Sequence, residues 1–373
     1  MDTGALVAKR LLVIFLKYFV GFAILGYMIW RYWESPPDKP GTGISDIKLD
    51  EIHFGPLLIA FLLCAAGNFI CWVRWFVLVR AQELPFTFLN GLRLGMVGFF
   101  FNTFMPGSVG GDIIKATFIA REQSRRAFAV GSVIIDRLIG LMGLFWLSAI
   151  LGWFFWWLGY FEGEQLQPLQ AALFLVTGIV GGSLLFWLAL KILSESTAQN
   201  WTRRLEGIPK IGPSLAELWR ALLMYRRKGI TVGLALLMAT AGHIGFVTAY
   251  YLSSASLIAD TNLIPSVFVH FLIVPLGMVG QAGIPLPGAI GAGEALFAWL
   301  YVLVGKQGVF GFRMALVYRI NNWVLGFISY IVYLQVRPAL KTKKENAGSA
   351  PSPLEVSLNK DVGLTSQGRT TSP

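Results

Sequence analysis

The chain has 373 residues, 55% of them apolar and only 14% Asp, Glu, Lys or Arg. An average soluble domain is about one quarter charged, so this composition disfavours a soluble enzyme, a disordered chain and a collagen-like fibre. The net charge of +11 finds no aqueous domain that would carry a nucleic-acid groove, and a polytopic membrane protein with cationic inner loops is the simpler reading.

Lys9 and Arg10 precede an apolar run from Leu11 to Trp30. That run is longer than a signal-peptide core and has no small-x-small cleavage site after it, so 11–31 reads as the first span. A span needs about 20 apolar residues. Further runs of that kind cover 54–79, 127–158 with an end near Trp153, 169–191, 230–256 and 312–336. Two apolar stretches, 88–120 and 264–305, are interrupted by Gly and Pro and read as hairpins. Cys64 and Cys71 are seven residues apart in one run, about 10 Å along a helix, which is too far for a disulfide. No metal or cofactor motif accompanies them.

The fold class is therefore an all-α polytopic membrane protein with six full spans and two re-entrant helical hairpins. Residues 1–192 hold the first membrane repeat and the following span, and 230–340 the remainder of the second repeat. Between them, 193–229 is an amphipathic interfacial segment. Leu215, Leu218, Trp219, Leu222 and Leu223 make its apolar face, and Pro213 suits the first turn. The tail, 341–373, is rich in Ser, Thr, Pro and Lys and reads as disordered.

Lys and Arg sort by side. With the N-terminus inside, the inner loops hold 20 basic and 9 acidic residues, and the outer loops 5 and 8. Both termini are expected in the cytoplasm, with the protein in an inner membrane.

The two interrupted stretches match. The first contains Pro106-Gly107-Ser108-Val109-Gly110-Gly111-Asp112, the second Pro287-Gly288-Ala289-Ile290-Gly291-Ala292-Gly293-Glu294. Arg137 follows Asp112 by 25 residues, and Arg319 follows Glu294 by 25. Each half also runs span, span, hairpin, span. Three full spans per half place the second half upside down, which is an inverted-topology repeat. A chain with 41 Gly and 17 Pro would produce a lone Pro-Gly match by chance, but not motif, acid, spaced Arg and topology together.

Backbone that leaves the helix inside a bilayer must be shielded by protein or line a wet cavity. Half-helices starting near Gly110 and Gly291 would offer free N–H groups as anion sites. The two tips are expected to meet near mid-membrane. Nine charges lie at membrane depth: Asp112, Asp136 and Glu294 against Lys17, Arg74, Arg93, Lys115, Arg137 and Arg319. Each costs at least about 2.5–3.5 kcal/mol at the bilayer centre if unpaired. They either lock hairpin to span, as Asp112 with Arg137 and Glu294 with Arg319, or they line a transport path. Asp112 and Glu294 also suit simple helix capping. Arg74 and Arg93 read as snorkelling residues, and Lys17 as a snorkelling residue or a minor pair. Asn102, Asn321 and Asn322 suit interhelix hydrogen bonds, and His243 and His270 suit core packing or proton transfer.

The run Asn102-x3-Pro106-Gly107-x2-Gly110-Gly111-Asp112-x2-Lys115, then Asp136-Arg137, then Pro287-Gly288-x2-Gly291-x-Gly293-Glu294, resembles the lysylphosphatidylglycerol synthase transmembrane family. This is the flippase-like membrane region of bacterial multiple peptide resistance factors, and the resemblance covers roughly 10–337. The family often has Arg where Lys115 stands and Glu where Asp136 stands. The resemblance implies movement of a lipid or lipid-linked headgroup between leaflets. The soluble domain that makes the aminoacyl lipid in fused members is absent from this sequence.

The expected function is a lipid translocase, not an enzyme, without cofactor or metal. Its ligand would be a membrane phospholipid or a lipid-linked anionic headgroup. Lys115, Arg137 and Arg319 would hold the phosphate with the half-helix termini near Gly110 and Gly291, while Asp112, Asp136 and Glu294 position those bases. Asn102, Asn322 and the motif glycines and prolines complete the expected site. The rivals are an intramembrane transferase using a polyprenyl-phosphate donor, and a non-enzymatic partner of a lipid-modifying enzyme.

Overall fold

The structure is a computed structural model. It describes residues 3–35, 37, 41–105, 110–122, 126–160, 163, 166–209, 211–258 and 260–348. Pro106 and Gly107 of the first motif lie outside the described residues. The chain divides into two units, residues 1–330 and 331–373; the site discussed below belongs to the first.

Twelve α-helices follow one another among the described residues. They are α1 (Thr3–Arg31), α2 (Phe54–Ala81), α3 (Phe88–Phe104), α4 (Gly110–Glu122), α5 (Arg126–Trp157) and α6 (Gln167–Ile192). Then come α7 (Glu195–Glu206), α8 (Gly212–Tyr225), α9 (Gly229–Ala255), α10 (Val267–Ala282), α11 (Ala292–Leu303) and α12 (Gly308–Gly348). Six are long and apolar enough to cross a membrane: α1, α2, α5, α6, α9 and α12. These are the six runs expected as spans. α5 ends at Trp157 rather than near Trp153, because no Gly, Pro or capping residue interrupts the Trp/Phe run. α12 continues to Gly348, into the segment assigned by composition to the tail.

Local chemistry sets the ends. Thr87, Ser194 and Ser266 cap α3, α7 and α10, each accepting a backbone N–H three residues on. α6 and α8 open with Pro in the first turn.

Close helix crossings depend on small residues, as membrane packing requires. α2 and α9 pack along their length, and Gly67 leaves room for the Phe246 ring. A Cβ on Gly143 would meet Ala239 on α9 at 2.5 Å. A large core joins α9, α10, α11 and α12 around Tyr250, Phe297, Tyr301 and Met314. There the Tyr250 and Tyr318 rings stack with centroids 3.7 Å apart. His270 belongs to this core: its Nδ1 donates to the Ser266 carbonyl and its Nε2 faces Tyr301 Oη at 2.7 Å.

Residues 193–229 form two helices, where the sequence reading had marked only the second. α8 is fastened to the membrane helices through its small residues. Ala216 and Ala221 are buried, with Ala221 against Gly131 of α5. Tyr225 Oη donates to the Leu78 carbonyl at 2.8 Å and accepts from Gln82 at 2.5 Å. Its leucine face is only partly covered.

Candidate site at the meeting of two helix pairs

α3 and α4 form one pair of short helices, α10 and α11 a second. In the first pair the backbones touch. A Cβ on Gly111 would lie 1.8 Å from the Gly98 carbonyl, so no other residue fits this crossing. Asn102 Oδ1, from α3, accepts the Gly111 N–H at 2.7 Å.

In the second pair the chain turns through Pro287–Ala289, with Gly288 at φ +52° and Gly291 at φ +76°. Ala289 also takes a left-handed conformation, which costs a non-glycine residue about 1–3 kcal/mol unless its surroundings enforce it. Arg319 of α12 supplies that enforcement. Its Nε donates to Glu294, its Nη1 to the Gly288 carbonyl at 2.9 Å and its Nη2 to the Ala289 carbonyl at 3.3 Å. Glu294 Oε2 in turn accepts the Gly291 N–H at 2.8 Å.

The two pairs touch each other. A Cβ on Gly288 would lie 3.2 Å from the Thr103 carbonyl at the end of α3. α1 touches both: Tyr18 Oη donates to the Phe104 carbonyl, and Gly21 packs on Ile290. Beside this junction lies a cavity of about 420 Å³. Asn102, Asp112, Lys115, Asp136, Arg137, Gly288, Arg319 and Asn322 line it, so eight of the expected site residues converge. Gly110, Gly111, Pro287, Gly291, Gly293 and Glu294 shape the two pairs behind the wall.

The charges are arranged in three groups. Arg137 Nε donates to Asp112, and the Arg137 side chain keeps 47% of its surface open. Arg74 Nε donates to Asp136 at 2.8 Å, and Lys115 lies 3.8 Å from the other Asp136 oxygen. The Lys115 ammonium also sits 4.1 Å from the centre of the Trp75 ring, a cation–π contact. Arg319 is closed off by Glu294 just behind the wall, its side chain 9% exposed. Counting Glu294 with the lining groups leaves one positive charge in excess, from four bases and three acids.

Three expectations change. The N–H groups of Gly111 and Gly291 are not open anion sites, because Asn102 and Glu294 occupy them. Arg319 is not open to a headgroup; its three nitrogens hold the 287–289 turn. Arg74 does not snorkel. It is buried at 5% exposure, because Asp136 on α5 offers a carboxylate within reach. A helical stripe on α2, Gly67, Asn68, Cys71, Arg74 and Trp75, was the available signal that Arg74 faces inward. Arg93 is exposed, consistent with snorkelling. Asn322 Nδ2 donates within its own helix to the Tyr318 carbonyl. Gln281 and His243 also line the cavity, and neither stands near a motif that would have flagged it for binding.

No curated protein and no solved structure matches the chain. The family model described as the lysylphosphatidylglycerol synthase TM region matches residues 14–329. That match covers most of the 373 residues, with the greater part of the first and last span-length helices, the four between them and both short pairs, and the chain belongs to the lysylphosphatidylglycerol synthase TM region family.

Proposed function

We propose that this protein is a lipid translocase that passes a phosphate-bearing headgroup between the leaflets of a bacterial inner membrane. Both termini face the cytoplasm in this reading. α3–α4 and α10–α11 are re-entrant hairpins of an inverted repeat, entering from opposite sides. The observation that carries the reading is Arg137, which donates to Asp112 through Nε, keeps about half of its side chain exposed and lines the cavity together with Lys115 and Asp136.

A guanidinium in that state offers charge-assisted hydrogen bonds to a phosphodiester. Lys115 supplies a second positive charge, fixed by Asp136 and Trp75. Arg319 serves the second hairpin as a clamp on its tip, so the two halves differ in role. The family's printed name, a synthase's membrane region, supports lipid handling. The reading assigns no covalent chemistry to these residues.

The test is movement of a fluorescent phospholipid in proteoliposomes. The wild-type protein should accelerate it, and Arg137→Ala should abolish the acceleration while the protein still folds. Product formation from a labelled polyprenyl-phosphate donor by purified protein, without lipid movement, would favour the transferase reading instead.

A further inference from the structure

A second cavity, of about 650 Å³, lies between α7, α8 and the end of α2. That volume suits a small molecule. Two helical stripes face it. α7 contributes Glu195, Gln199, Thr202, Arg203 and Glu206, which share one face by their spacing of three and four residues. α8 and the link after it contribute Arg220, Leu223, Met224 and Arg227 at the same spacing. Ion pairs tie the two helices antiparallel. Arg220 donates to Glu206, and at the other end Arg226 and Arg227 converge on one Glu195 oxygen, at 2.6 and 3.3 Å.

The charge on these walls is unbalanced. Glu206 is taken by Arg220, and Glu83 lies 3.6 Å from Lys228. Glu195 alone serves two guanidiniums, of which Arg227 keeps 75% of its side-chain surface open. Arg203 is exposed and has no ion pair among the described residues. Five bases and three acids line the cleft, so two positive charges are left over, on Arg203 and on the Arg226–Arg227 pair. Leu223 and Met224, with Ala81 of α2 and Phe128 of α5, give the same cleft an apolar part.

We propose that this cleft binds a phosphomonoester that carries an apolar body. A phosphomonoester has about −1.5 to −2 charge at pH 7, which matches the excess, whereas a phosphodiester brings a single charge. Guanidiniums meet phosphate oxygens in paired, charge-assisted hydrogen bonds. Arg203 and Arg227 supply them, and Gln199 adds a neutral donor beside them. The three carboxylates on the same walls disfavour anions of higher charge, such as polyphosphates. The apolar body lies on Leu223, Met224 and Phe128. A lipid with a terminal phosphate and a water-soluble alkyl phosphate share this chemistry.

The experiment follows hydrogen exchange over 195–206 and 220–228 in the full chain, held in phosphatidylcholine nanodiscs. The soluble arm adds hexyl phosphate or methyl hexyl phosphate. The lipid arm includes phosphatidic acid or phosphatidylmethanol in the disc. Within each arm the two probes share the apolar body, and only the monoester can carry the second charge. The monoester should slow exchange at about tenfold lower concentration than the diester, the worth of one charge-assisted contact. Arg203→Gln, at an exposed position, should abolish that preference. Slowing by hexyl phosphate marks a water-soluble ligand, and slowing by phosphatidic acid alone marks a membrane lipid; both uphold the site. Equal slowing by monoester and diester, slowing by neither, or an undiminished preference in Arg203→Gln overturns it. The translocase reading stands in each case, because the cleft and the central cavity share no lining residue.

Discussion

Arg137 and Asp112 are joined through the Arg137 Nε, and the arginine, which lines the cavity, keeps about half of its side-chain surface exposed. Arg319 and Glu294 make the same contact at the same spacing of 25 residues, but there the arginine is closed and also holds two carbonyls of the 287–289 turn. A repeated sequence motif has thus taken two physical roles.

The two arginines should separate under mutation. Arg319→Ala leaves the Glu294 carboxylate buried without its partner, and loss of one member of a buried pair costs about 3–5 kcal/mol. Thermal unfolding in detergent should show a large drop for Arg319→Ala. Arg137→Gln keeps a donor for the buried Asp112 carboxylate, and the guanidinium it removes is itself half exposed, so the loss is smaller than at Arg319. Its unfolding temperature should stay near wild type while lipid movement falls at least about tenfold, since a hydrogen bond to a charged group is worth roughly 1.5–3 kcal/mol. Equal destabilisation by both would contradict the division of roles.

The crossing of α3 and α4 should tolerate no side chain at Gly111. Gly111→Ala drives a Cβ into the Gly98 carbonyl, backbone against backbone, and neither side can rotate away. The expected cost is about 3 kcal/mol or more, read as lost yield of folded protein by size-exclusion chromatography. Gly178→Ala, where nothing lies within 4 Å, should be neutral and serves as the control.

Much of this was legible from the sequence. The Pro-Gly motifs, the acids and the arginines at equal spacing marked the helix pairs and the pairing of Asp112 with Arg137 and Glu294 with Arg319. Apolar run lengths located all six span-length helices. The difference between Arg137 and Arg319 was not legible, because the motif is the same and only packing around each guanidinium differs. The cap of Gly291 by Glu294 was among the readings of that acid, but the capping of Gly111 by Asn102 was not legible, since Asn102 lies nine residues away on the preceding helix. Arg74 was misread because its position near a span end says nothing about which neighbour faces it.

One hydroxyl adds to the docking of α8 that Ala216 and Ala221 provide. Tyr225→Phe removes the bond to the Leu78 carbonyl and leaves Gln82 Nε2 without its acceptor. The expected loss is about 1–2 kcal/mol, with faster hydrogen exchange over 212–225 and little change in α9. Unchanged exchange across α8 would show that Ala216 and Ala221 alone hold it.

The loop before α2 should respond to acid. Ser35 Oγ and the Gly43 N–H both donate to Asp46, and these bonds hold its carboxyl below its ordinary value of 3.8. The folded group binds its proton less readily than the unfolded one, so its contribution is present above that value and is lost as pH falls through the lower, folded pKa. Hydrogen exchange at 41–47 should quicken only below about pH 4. Ser35→Ala removes the strongest of the bonds that lower this pKa, and the transition should move to higher pH. A transition unmoved by Ser35→Ala would contradict the assignment.

The most direct test of the central claim is the rate of phospholipid movement between leaflets in proteoliposomes holding purified protein, with Arg137→Gln alongside at matched folded content. The account predicts rapid movement with the wild-type protein and at least about a tenfold slower rate with the variant. Lipid movement by the wild type no faster than in protein-free vesicles, or equal rates for the two proteins, would contradict it.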